Sequence, residues 1–91
     1  MRREALISKK YIIKNKKIFC LRYLFIEIGN FYGIKVTYSD KNVKNKSSIE
    51  ENEVILEKNS KAEILSFINI LSENFSFPVE LDCILEDLSC E

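Results

Sequence analysis

Few side chains in this chain could do chemistry, and one absence narrows the field at once. The 91 residues contain no histidine. That removes the usual general base near neutral pH, the Ser–His and Cys–His nucleophile pairs, and the commonest metal ligand. The three cysteines, Cys20, Cys83 and Cys90, form no C-x-x-C pair, so a zinc site would have to be built from scattered thiols and carboxylates. The two glycines, Gly29 and Gly33, are too few and too isolated for a phosphate-cradling loop. Asp82 and Glu86 stand i, i+4, with Asp87 beside them. They could hold a cation or act as acid and base, but a solvated helix face explains them as well. No catalytic, cofactor-binding or metal-binding residue is assigned, and an enzyme is not expected.

Charge is the stronger signal. The net charge is zero, yet the sequence up to Lys46 carries 12 Lys and Arg against 3 Asp and Glu, and the remainder carries 2 against 11. Lys9, Lys10, Lys14, Lys16, Lys17 and Arg22, with Arg2 and Arg3 before them and Tyr11, Phe19 and Tyr23 among them, form a candidate anion-binding surface. Basic and aromatic residues sharing a sheet can hold phosphates and stack bases. The acidic half opposes that use, and the simpler expectation is that the two halves attract each other in the folded chain.

The elements that must position these residues follow from periodicity. Residues 5–13 and 18–28 read as strands joined by a turn at Lys14-Asn15-Lys16-Lys17. The stretch Gly29-Asn30-Phe31-Tyr32-Gly33 reads as a hairpin connection. Residues 32–39 alternate, with Tyr32, Ile34, Val36 and Tyr38 on one side. Residues 40–51 read as a mobile polar loop, and 53–57 as a short fourth strand.

The period then lengthens to that of a helix. Ser60 and Glu63 form a capping box for a helix over 61–75, and Pro78 opens a second over 78–89. A helix that opens at a serine also occurs in acyl carrier proteins. There the modified serine follows Asp and precedes Leu; here Asn59 and Lys61 flank Ser60, and strands precede it. The fold class is therefore α+β: a four-stranded antiparallel meander, with two C-terminal helices packed on one face, in a single domain.

Several of these features together resemble an uncharacterised family of short proteins from low-GC Gram-positive bacteria. They are Arg22-Tyr23 in a strand, Tyr32-Gly33-Ile34 opening the next, a short strand before a capped helix, and Pro78-Val79-Glu80-Leu81 leading to Leu85-Glu86-Asp87. The resemblance implies this fold pattern and a bacterial cytosolic setting, and no activity. In this chain Phe77 precedes Pro78 where a small polar cap would be expected.

The odd, widely spaced cysteines read as reduced thiols of the cytoplasm. No apolar run is long enough to cross a membrane as a helix, and no secretory signal is expected at the N-terminus. The second strand is apolar on both sides, while one helical layer covers only one face. Phe19, Leu21, Tyr23 and Phe25 are thus a candidate surface for a protein partner or a second copy of the chain. The functional expectation is a small regulatory or interaction module that binds another protein, with nucleic-acid binding as the alternative. No cofactor is expected.

Overall fold

The computed structural model describes residues 1–41 and 49–89. Its elements are β1 (Arg2–Lys14), β2 (Lys17–Ile28), β3 (Phe31–Asp40), β4 (Glu50–Leu56), α1 (Lys61–Glu73), a short 3-10 turn (Pro78–Glu80) and α2 (Leu81–Ser89). The strands form one antiparallel sheet in the order β1-β2-β3-β4. The expected meander followed by two helices is the observed architecture.

Turn chemistry sets the register. Asn15 and Lys16 both have positive φ, which matches the right-handed twist of a two-residue hairpin between β1 and β2. Gly29, with φ +57, makes the next connection together with Asn30 alone. The longer connection expected from Gly29 to Gly33 is therefore corrected. Gly33 lies inside β3, between Ile26 and Ile55. A Cβ there would sit 2.5 Å from the Val54 carbonyl oxygen and 2.6 Å from Ile55 Cδ1, so close approach of β4 explains the glycine.

Other boundaries move by a few residues. β1 begins at Arg2, three residues before the expected start, because β2 offers partners all the way to Ile28. A bulge at Ile7 shifts the register between Leu6 and Ser8. Most of the expected mobile loop, residues 42–48, lies outside the described residues, but its two ends are strand: Asp40 closes β3, and Glu50 and Glu51 open β4.

The helices cover one sheet face. Leu21, Tyr23 and Phe25 of β2 and Ile34 and Val36 of β3 pack against Ile64, Ile68 and Leu71 of α1 and Leu81 and Leu85 of α2. The expected inward set on β3 is the observed one. Helix α1 starts at the expected cap. The Glu63 amide donates to Ser60 Oγ at 3.3 Å, and the Ser60 amide donates to Glu63 Oε1 at 2.9 Å. It ends at Glu73, two residues early. The Phe75 amide donates to the Ser72 carbonyl and the Ser76 amide to the Leu71 carbonyl, turning the chain through a left-handed Phe75.

Tyr23 anchors that turn from the sheet side. Its completely buried hydroxyl donates to the Ser76 carbonyl at 2.9 Å, and burial pushes the phenol pKa up. Phe77 caps nothing with its side chain. Glu80 instead accepts from the Phe77 amide, and the Phe77 ring packs on Tyr38, 4.8 Å between centroids.

Candidate functional site

The structure places the sequence-selected residues on two faces and a tip. Phe19, Leu21, Tyr23 and Phe25 turn toward the helices. Leu21, Tyr23 and Phe25 are buried there, and Phe19 stacks on Tyr38 at 5.2 Å. This corrects the expected partner surface: of the two apolar sets on β2, the helices took the one with the aromatic side chains.

The alternate set, Ile18, Cys20, Leu24, Ile26 and Ile28, faces away from the helices, yet Cys20 and Ile26 are buried there too. Ile26 lies between Glu4 of β1 and Gly33 of β3. Ion pairs reach across the sheet on this face. Arg2 donates through Nη1 and Nη2 to the two carboxylate oxygens of Glu53 at 2.8 Å each, and through Nε to Glu4 at 2.8 Å. Lys35 adds a contact to Glu4 at 3.6 Å. The bidentate fork holds the Glu53 carboxyl below the usual carboxylate range, with Lys35 assisting. One point of contact between the basic and acidic halves of the chain is thereby defined.

What stays exposed is β1. Leu6, Tyr11 and Ile13 lie on the open face at 47%, 51% and 76% exposure, and Ile7, at the bulge, is 40% exposed. No strand among the described residues pairs with the outer side of β1. The exposed apolar surface is centred on the first strand and not on the second.

The basic set divides. Lys9 and Arg22 are cross-strand partners on the open face, where Arg22 also donates to Ser39 Oγ at 3.4 Å. Lys10 sits on the helix side, its ammonium 5.3 Å from the centre of the Phe75 ring. Lys14, Lys16 and Lys17 lie at the hairpin tip, and among the described residues none of the three has an ion-pair partner. The ammonium of Lys41 lies over Tyr11 at 5.2 Å. Of the aromatic residues interleaved with this set, only Tyr11 is on the open face; Phe19 and Tyr23 belong to the core side.

Elsewhere the candidates separate. Ser60 is occupied as a cap, and its amide and hydroxyl hold Glu63 below the usual carboxylate range. Asp82 accepts from the Asn52 side chain at 3.3 Å, and Glu86 and Asp87 are exposed on α2. Among the described residues no three metal-ligating side chains converge. Cys20 is buried and unpaired, Cys83 is exposed and unpaired, and Cys90 lies outside the described residues. No helix among the described residues is long and apolar enough to cross a membrane.

A groove of about 480 Å³ runs beside the start of β1, lined by Arg3, Glu4, Ala5, Phe25, Glu27 and Lys61. The sequence carried no local signal for it, because it arises where α1 leaves the helix side of an edge strand uncovered. No protein-family model, no curated protein and no solved structure matches this chain.

Proposed function

We propose that the chain is a small protein-interaction module that engages its partner through β1. One observation carries this reading: β1 keeps Leu6, Ile7, Tyr11 and Ile13 in water, while β2, the strand it pairs with, buries or half-buries its own apolar side chains. Each large apolar side chain left out forgoes about 1.5–3 kcal/mol of attainable burial, and grouped exposure of this kind marks interaction surfaces. The unpaired thiols of Cys20 and Cys83 fit a reducing compartment.

The nucleic-acid alternative draws on Lys9, Lys14, Lys16, Lys17 and Arg22. It is weakened because Phe19 and Tyr23 are turned into the core and are not available to stack bases.

The test compares immobilised wild type with a Leu6→Ser/Tyr11→Ser/Ile13→Ser variant whose circular dichroism matches it. A protein retained by the wild type, lost by the variant, and shown to bind again when both are purified is the expected result. Equal retention by both chains overturns the reading. A parallel salt titration with generic DNA and RNA should show no binding at low salt; tight binding that falls steeply with salt overturns it in favour of nucleic acid.

A further inference from the structure

We propose that the outer edge of β1 receives an extended acidic segment of a partner protein as a fifth strand, with alternate side chains of that segment lying in the groove between β1 and α1. This rests on the protein-binding reading above and gives the partner its form.

Three observations converge on it. The first is backbone supply. β1 spans Arg2–Lys14, and among the described residues its ladder partners all lie on β2. Its outer amides and carbonyls are thus open to an added strand, whose main-chain bonds provide affinity without regard to sequence.

The second is the wall beside that edge. Helix α1 runs alongside β1 on the helix side. Its first residue, Lys61, lies over Phe25, whose cross-strand neighbour is Ala5; Ser72 hydrogen-bonds Ser8 at 2.5 Å; and Phe75, just past its end, lies against Lys10. The groove occupies the first part of this track, floored by Ala5 and Phe25. An added strand points every second side chain to one face of the sheet, so its apolar residues would lie beside Ala5 and Phe25. Phe75 at the far end keeps a large, half-exposed ring in a left-handed conformation that normally selects glycine.

The third is charge. β1 carries five cations, Arg2, Arg3, Lys9, Lys10 and Lys14, against Glu4 alone; Arg2 is engaged by Glu4 and Glu53, which leaves Arg3, Lys9, Lys10 and Lys14 to act on a partner. Two copies of β1 set edge to edge would bring like charges together, and the bulge at Ile7 breaks the flat template further. The same cations attract an acidic strand. The edge therefore rejects its own kind and accepts its opposite. The segment it fits has apolar side chains where it passes Ala5 and acidic ones where it passes Lys9, Lys10 and Lys14.

The experiment uses the intact chain and a displayed library of extended peptides that alternate apolar and acidic residues. The best binder is then compared with its lysine-for-acid counterpart and with a version N-methylated on alternate amides. Expected are binding that weakens with salt, loss of about tenfold or more in affinity on N-methylation or charge reversal, and slowed hydrogen exchange at β1 amides. Ala5→Glu, at an exposed position that leaves the fold intact, should weaken binding by a similar factor. No binder from the library, equal affinity for the N-methylated peptide, or binding without protection of β1 overturns the proposal. So does a stable dimer in sedimentation whose β1 amides are protected without peptide. If these fail while the Leu6/Tyr11/Ile13 variant still loses its partner, protein binding stands and strand addition falls; if that variant also retains everything, both fall.

Discussion

The two faces of the sheet are held by different forces. On the helix side, Leu21, Tyr23, Ile34 and Val36 are removed from water by packing against α1 and α2. On the open side no second layer exists among the described residues; Ile26 is nonetheless buried, and the Arg2–Glu53 pair reaches across the strands on that face. Apolar packing is non-directional and involves no titrating group. An ion pair is directional, depends on protonation, and is screened. One face of a single small sheet thus gives it cohesion, and the other is held in place by charge and remains accessible along β1.

The sharpest way to break this comparison is a pair of identical truncations on opposite faces. Leu21→Ala opens a cavity on the helix side and should cost about 2–5 kcal/mol in urea denaturation. Leu6→Ala removes a side chain that is 47% exposed and should stay within about 0.5 kcal/mol. Comparable losses would show that the open face packs as tightly as the other.

Gly33→Ala probes the open face at its closest approach. The new methyl meets the Val54 carbonyl oxygen, which cannot swing aside as a side-chain end can. Overpacking of this kind costs about 1–3 kcal/mol, readable as a lowered Tm. An unchanged Tm would mean that β4 yields freely there.

Ser60→Ala removes the side-chain half of the cap on α1 and should cost about 1 kcal/mol. The helix side would feel that loss while the peptide affinity of β1 stays the same. The smallest expected effect is electrostatic. Because the Glu53 pKa is lowered by Arg2, its contribution is present above the ordinary carboxylate value and is lost as pH falls through the lowered one. Glu53→Gln should flatten the acid side of the stability–pH curve and leave Leu21→Ala as damaging as before. An identical acid slope in wild type and variant would deny the ion pair its role.

Legibility in the sequence followed the range of the interaction. The alternation of β3 and the Ser60–Glu63 box were readable because each is local: a period of two, and a reciprocal pair three residues apart. The helical end of α1 was overestimated by two residues because Phe75 occupies a left-handed position where no glycine marks the stop. The choice of face on β2 was not readable, since both alternating sets are apolar and only the helices decide between them. Nor was the contact between Arg2 and Glu53, 51 residues apart, which exists only once four strands are in register. The start of β1 at Arg2, ahead of the expected residue 5, depends on pairing with the far end of β2 and has no local signal.

The meander order has a consequence for how the chain is made. Each strand pairs with its neighbour in sequence, and the first two pairings close over two-residue turns, so three strands can assemble with little loop entropy to overcome. Both helices are encoded after all four strands. During synthesis, at about 5–20 residues per second, Leu21, Tyr23, Phe25, Ile34 and Val36 face water for on the order of seconds before α1 and α2 exist. A nascent chain that ends with β4 carries the 12 cations and 3 anions that precede Ser47 and, of the acidic charge that follows, only Glu50, Glu51 and Glu53. Mutual repulsion between such chains keeps a sticky intermediate apart until its own acidic end arrives to cover and neutralise it.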